Sequence, residues 1–521
     1  MRRLTTLFFI VGLLAAPAPA VAQEPYTPLV PGGTLRFEMS ALFTSYTSRF
    51  GVSRRSGGEV EADEPLGIDF TADPVGVDLF PALTGYEAAV SQASGQTFAL
   101  DLGAVAADVQ RARMRLPLTL DFGLTDWLNL GVTVPLDQHD VSMAVDWSAD
   151  SLRVNTGLSP GVFDPSVTDG FLGDLQGAIS GFTGYQMAEC QADPGSAACT
   201  DATALLMEAQ TLHSALATMY TGFFLAPMLG SAATVAIEGR LTQVATGFSA
   251  AGVTGTPSVI PVATFPLSVD EFQALITDPR FGTGATYPLQ RWLSPWAIGD
   301  IEVRAGLRLL NVGELGSGSA LAVGGQVTYR LGTGRQPDPA NPLDLGTGDG
   351  QDDIELRGWL NGQIGSRLGV WTDLRYGLQQ EATTTRRVFD PDFAYRPAST
   401  EIALTWAPGD YQLVELSPWF RVAESLTFIP SYQFFRKGED TFTLLPGDAS
   451  GLDPTVLRLE SEMQVQRLAL GFVYNTVVSG DGPGFEFRAL YRRAIAGSGG
   501  QTPDDQSFEA TLRLLVGAWG R

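Results

Sequence analysis

His139 and Ser142 come first, because a serine in hydrogen-bond reach of a histidine is the smallest set that makes an oxygen nucleophile. The chain has only 2 histidines, the other being His213. A regular strand turns residues three apart to opposite faces, and no nucleophile motif surrounds Ser142, so an enzyme is not expected. The 2 cysteines, Cys190 and Cys199, flank a Pro194-Gly195 turn. In an exported chain a local disulfide is their expected state. Two thiols and two distant histidines do not make a tetrahedral set, so neither a metal nor any other cofactor is expected.

A larger set of chemistry-bearing residues recurs at every second position. Arg36, Arg113, Arg115, Asp300, Glu302, Arg304, Arg308, Arg330, Arg357, Asp373, Arg375, Arg488, Arg492 and Arg513 all fall on the polar side of an alternating segment. They are expected to line a lumen, in company with Glu38, Asp121, Glu355, Glu486 and Glu509. Two readings stay open. Arginine and carboxylate could pair across neighbouring strands as wall structure, or the excess arginine could give a pore a preference for anionic groups.

The elements that must position these groups are strands. Ile301, Val303, Ala305, Leu307 and Leu309 share one face; Glu302, Arg304 and Arg308 share the other. The same period of two runs through 34–45, 113–123, 128–137, 297–310, 320–331, 354–364, 368–379, 412–422, 426–437, 464–476, 485–492 and 508–519. Most approach the ~9–11 residues that a tilted strand needs to cross the hydrocarbon layer. Connections alternate in length: Leu124 to Trp127, Ser366-Arg367 and Ala423 to Ser425 are tight, whereas 46–96, 332–353, 380–399, 438–461 and 494–507 are long and polar. Short turns on one side and long loops on the other mark an all-β transmembrane antiparallel β-barrel. Twelve strands are expected; segments 97–110 and 400–406, which also alternate, extend the range to fourteen. Trp127, Trp296, Trp359, Trp371, Trp406, Trp419 and Trp519 are candidates for interfacial girdles.

Residues 149–290 break the pattern. Ala202, Leu205, Leu206, Ala209, Leu212 and Leu216 form a helical stripe with Thr200-Asp201 as its expected cap, and Ser268, Asp270 and Glu271 open a second helix through Ile276. No charge falls between His213 and Glu238, which raises a spanning helix as an alternative; Gly222, Pro227 and Gly230 speak for buried helices instead. The chain thus divides into a signal peptide over 1–22, a first part of the barrel over 23–148, a partly helical loop insert over 149–290 that caps or plugs the barrel from outside, and the remainder of the barrel over 291–521. The signal rests on Met1-Arg2-Arg3, an apolar run to Ala18 and the small-x-small site Ala20-Val21-Ala22. With a net charge of -24 the chain is no nucleic-acid binder.

Phe122-Gly123-Leu124-Thr125-Asp126-Trp127-Leu128-Asn129-Leu130-Gly131-Val132-Thr133-Val134-Pro135, with Gly299-Asp300-Ile301-Glu302-Val303-Arg304-Ala305-Gly306-Leu307 later in the chain, resembles the strand–turn–strand pattern of two groups of outer-membrane channels. These are the hydrocarbon and long-chain fatty-acid transporters and the proteins found beside phenol-degradation pathways. The resemblance covers the barrel and stops at the insert. It implies passive uptake of hydrophobic or aromatic solutes, although no N-terminal hatch of the fatty-acid transporter type is recognisable. The expectation is a porin-like channel for small solutes in the outer membrane of a Gram-negative-type cell. Its partners would be outer-membrane lipid and, during biogenesis, the barrel-assembly machinery. The alternative is a surface protein whose barrel only anchors a partner-binding insert.

Overall fold

The structure is a computed structural model that describes residues 29–51, 62–150, 153–284, 290–313, 318–475 and 484–517. The signal segment over 1–22 and Trp519 lie outside the described residues.

Twelve antiparallel strands form the wall. They are β1 (Thr34–Tyr46), β2 (Ala104–Thr125), β3 (Leu128–Ser148), β4 (Ile301–Val312), β5 (Ala320–Leu331), β6 (Asp353–Ile364), β7 (Leu368–Gln379), β8 (Tyr411–Ala423), β9 (Leu426–Lys437), β10 (Met463–Asn475), β11 (Gly484–Ser498) and β12 (Gln506–Gly517). Each pairs with its neighbours in sequence, and β12 returns to β1 with Phe37 opposite Leu514. A closed ring has no edge, so every backbone N–H and C=O on the wall can be satisfied without water. The shortest seam is β3–β4, which runs from Leu128 opposite Leu307 to Thr133 opposite Glu302. Beyond it, the short segments Ala297–Ile298 and Arg291–Leu293 carry the pairing of β3 outward. Segment 297–310 is therefore two strands, broken at Gly299-Asp300, where the Gly299 N–H bonds the Pro135 carbonyl instead of continuing the ladder.

Alternation sorts the side chains as a barrel in lipid requires. Phe37, Leu130, Leu374, Leu470 and Phe508 are 44, 46, 52, 59 and 51 % exposed, while Arg36, Asp121, Asp373 and Glu486 are buried. Apolar groups outside and ionised groups inside invert the order of a water-soluble sandwich. On the outer face Tyr329, Tyr376, Tyr432 and Tyr491, on β5, β7, β9 and β11, donate their hydroxyls to Asp352, Asp410, Gln466 and Gln506 at 2.7, 2.8, 3.0 and 3.2 Å. An apolar ring with one wet tip suits a membrane interface.

The tight turns have local causes. Thr125 Oγ1 accepts the N–H of Leu128 at 3.0 Å and closes the β2–β3 turn, and Gly365 takes a φ of 62° between β6 and β7, a value that favours glycine.

Over 149–290 the structure is helical: α2 (Pro165–Ala192), α3 (Ala197–Gly222), α4 (Ala232–Ala250) and α5 (Val269–Thr277) join α1 (Thr84–Ser94) of the first long connection. Their buried faces form one core with the outer ends of β2 and β3, through Val105, Val109, Val141 and Met143. Phe182 stacks on Phe248 at 4.2 Å and Trp147 on Phe272 at 4.0 Å. The cap of α3 is Ser196 rather than Thr200-Asp201, because the Ser196 hydroxyl accepts the Cys199 N–H at 3.0 Å one turn earlier. Ser268 and Glu271 cap α5 reciprocally. Cys190 and Cys199 are bonded, with their Cα atoms 4.7 Å apart, tying the end of α2 to the start of α3. The uncharged stretch 213–238 is divided between α3, the short strand Leu225–Pro227 and α4. Among the described residues no helix is long and apolar enough to cross a membrane.

Segment 400–406 is a separate strand, Glu401–Ala407, in a three-stranded sheet with Ala382–Arg387 and Thr441–Leu444. Residues 104–110 are the outer part of β2.

Candidate channel interior

The inward face of the wall is a mesh of ion pairs. Asp121 on β2, wholly buried, accepts Arg36 of β1 at 2.7 Å and Arg304 of β4 at 2.7 Å. Arg304 reaches Asp121 across β3, and the crossing point is Gly131: a Cβ there would stand 2.0 Å from Asp121 Oδ1 and 2.8 Å from Arg304 Nε. Arg513 on β12 bridges Glu38 of β1 at 2.5 Å and Glu486 of β11 at 2.8 Å. Arg488 and Arg492 share Glu509, the second at 2.8 Å. Arg357 and Arg375 share Asp373, the second at 3.2 Å. The Tyr411 hydroxyl bonds Glu355 at 2.5 Å. Its ring passes over Gly377, whose absent Cβ would lie 2.1 Å from it.

The remaining expected residues are also engaged. Arg330 meets Glu302 at 3.4 Å and Asp353 at 3.6 Å, Arg115 meets Glu302 at 4.0 Å, and Arg113 meets Asp137 at 2.9 Å. Arg308 bonds the Asp126 carbonyl at the β2–β3 turn. Asp300 stands in the break before β4 and accepts the Gly334 N–H at 2.8 Å, so it holds the connection between β5 and β6. Every expected lining arginine except Arg308 thus has a carboxylate within 4.0 Å. In a low-dielectric wall this pairing is what keeps a buried guanidinium tolerable.

His139 and Ser142 lie near the outer end of β3, where their Cα partners on β2 are Arg113 and Gln110. The His139 N–H bonds the Ser294 hydroxyl at 2.8 Å. His213 is on α3.

A second inward feature was not read from the residues in advance. Trp359, Trp371 and Trp419 are 4, 2 and 3 % exposed and cluster with Ala322, Ile429 and Val473 inside the short-turn half of the barrel. They are on the polar side of β6, β7 and β8, so they do not belong to a girdle facing lipid. Trp359 stacks on Trp371 with centroids 5.7 Å apart. Trp359 lies over Gly324 and Trp419 over Gly369, each within 2.2 Å of where a Cβ would be. Without those glycines the indoles could not lie flat on the wall. Into the cluster comes Leu29, held by the segment before β1: the Gly33 N–H bonds the Gly123 carbonyl at 2.8 Å and the Gly32 N–H bonds Asp126 at 2.9 Å. Leu29 and Val30 are both buried. The signal that could have found this site is parity: Trp371 is two residues from Asp373 and four from Arg375.

No family model matches the chain, and no curated protein matches it. Solved structures do. An outer membrane channel from Pseudomonas putida F1 is 9 % identical with a TM-score of 0.40, over 95 % of this chain and 99 % of that one. The Pseudomonas putida toluene transporter TodX is 9 % identical with a TM-score of 0.25, over 94 % of this chain and 90 % of that one. The Ralstonia pickettii toluene transporter TbuX is 8 % identical with a TM-score of 0.27, over 94 % and 90 %. What this chain is similar to, at these low identities, is a set of outer-membrane channels and transporters.

Proposed function

We propose that the chain is exported behind its N-terminal signal, inserted by the barrel-assembly machinery into the outer membrane of a Gram-negative-type cell, and passes small apolar or aromatic solutes by diffusion. The observation that carries this reading is the cluster of Trp359, Trp371 and Trp419 around Leu29. Indole faces lying against the inner wall are a surface on which an apolar ring gains contact area at little entropic cost. The arginines argue less for anionic solutes, because their charge is spent on neighbouring carboxylates, as with Arg36 and Arg304 on Asp121. The lining residues act as wall, the tryptophans as the path, and no residue takes a catalytic role. In the same reading the helices over 149–290 form an external cap.

The test is single-channel conductance in planar bilayers with uptake of a neutral aromatic into vesicles. Leu29→Gly removes the side chain that fills the tryptophan cluster, so conductance and uptake should both rise severalfold over the parent chain. A barrel that stays silent in both forms supports the reading in which it only anchors a partner-binding insert.

A further inference from the structure

The tryptophan cluster sits between two differently charged parts of the lumen. Toward the long loops the arginines beside it are matched by acids: Arg357 and Arg375 have Asp373, and the first inward acid on β8 is Glu415, which accepts Ser417 at 3.2 Å and Gln433 at 3.2 Å. Toward the short turns the order changes. The inward residues that follow the cluster on β4, β6, β8, β9 and β10 include Arg308, Gln363, Arg421, Thr427 and Asn475, none of them acidic.

Arg421 belongs to the second part. Its backbone N–H bonds the Arg367 carbonyl at the β6–β7 turn at 2.8 Å, and its guanidinium lies over the Trp419 ring, 5.8 Å from the centroid. A guanidinium stacked on an indole engages its face and keeps the N–H donors along its edge, a planar fork that matches a carboxylate. Among the described residues no carboxylate pairs with Arg421 or with Arg308, which bonds the Asp126 carbonyl.

The cluster also holds donors that lack an acceptor. The N–H groups of Trp359 and Trp419 are buried and, among the described residues, have no hydrogen-bond partner, a state that buried donors rarely keep. A plain hydrocarbon would leave them so, whereas a ring with oxygen atoms at one end offers them an acceptor. Leu29 marks where such a ring fits. It reaches from Gly306 of β4, whose absent Cβ would lie 3.4 Å from it, to the three indoles, so the chain's own side chain already fills the place of a small apolar group.

We propose that the tryptophan cluster and Arg421 together bind an aromatic carboxylate. Its ring displaces Leu29 from the indole faces, and its carboxylate meets the edge of the Arg421 guanidinium. The inference rests on the tryptophans being the path, and it narrows the solute to a ring that carries one negative charge. Arg36 and Arg304, both held by Asp121, take no part. With Arg308 in the same mouth, the bound acid has a direction: its charge leads toward the short turns.

Calorimetry of benzoate, its neutral isostere benzamide and the ringless acetate, each titrated at low salt into the full chain in detergent micelles, tests this. Benzoate should bind at least about tenfold more tightly than either of the others. Arg421→Gln breaks no ion pair and should bring benzoate down to the level of benzamide. Leu29→Gly removes the competing side chain and should tighten benzoate severalfold. Benzamide or acetate matching benzoate, an undiminished preference in the glutamine variant, or an unchanged benzoate affinity in Leu29→Gly would each overturn the carboxylate site while leaving neutral rings their path. If neither benzoate nor benzamide binds, the path along the tryptophans falls together with the site.

Discussion

At the scale of the residue, the interior depends on small gaps as much as on charge. Gly131 lets the Asp121 carboxylate of β2 serve Arg36 of β1 and Arg304 of β4, and neutralising that carboxylate takes a counter-charge from both. Asp121→Asn should cost about 3–5 kcal/mol in stability, read as a shift in urea refolding into vesicles, because two buried guanidiniums lose their counter-charge together. An unchanged midpoint would mean that water reaches Arg36 and Arg304. The polarity of each face was legible in the sequence: Arg304, Asp373 and Arg488 are on the side their parity assigns. The tryptophans show where such reading stops. Trp371 shares parity with Asp373, yet an aromatic near a strand end is equally at home in an interfacial girdle. For its neighbours Trp359 and Trp419 the inward place depends on Gly324 and Gly369, whose missing side chains matter only once strands are paired. Leu29 was illegible for a similar reason, because an apolar residue before the first strand has no periodicity to mark it.

At the scale of the element, all twelve strands were legible, since a period of two survives wherever lipid faces one side and ions the other. The outer parts of β2 and β3 still alternate, but there Val105 and Val141 meet helices instead of lipid, so both strands run longer than the segments 113–123 and 128–137. The helices were harder to read. α2 spans 28 residues but carries glycine at 170, 173, 177, 181 and 184, and glycine lowers helix propensity by about 1 kcal/mol per site. A Cβ at Gly170 or Gly177 would meet nothing within 4 Å. Gly170→Ala and Gly177→Ala should therefore each stabilise the helical region by about 0.5–1 kcal/mol. A fall in Tm for either would show that this face is covered in solution. The α3 cap was misplaced by one turn because Ser196 and Thr200 are both good caps, and only the disulfide partner at Cys190 brings the earlier start into register.

At the scale of the whole molecule, one arrangement decides between water and lipid. The chain carries a net charge of -24 and yet turns Phe37, Leu374 and Leu470 outward. In a bilayer those positions are solvated by acyl chains, so Leu470→Arg should destabilise the inserted barrel by about 2–4 kcal/mol in vesicle refolding. The same substitution on a surface facing water would leave stability within about 0.5 kcal/mol. The helical core belongs to this scale as well, since it recruits Tyr395 and Leu343 from connections far along the chain.

The seam between β1 and β12 sets an order on biogenesis. Thr34 sits opposite Gly517, so the first strand to emerge must wait, with one margin bare, for the last to arrive. Until then the nascent wall is an open ribbon seeking any strand that fits, including that of another chain. The ring closes only when Gln506–Gly517 arrives, and a chain cut short before Gln506 would be left permanently ajar.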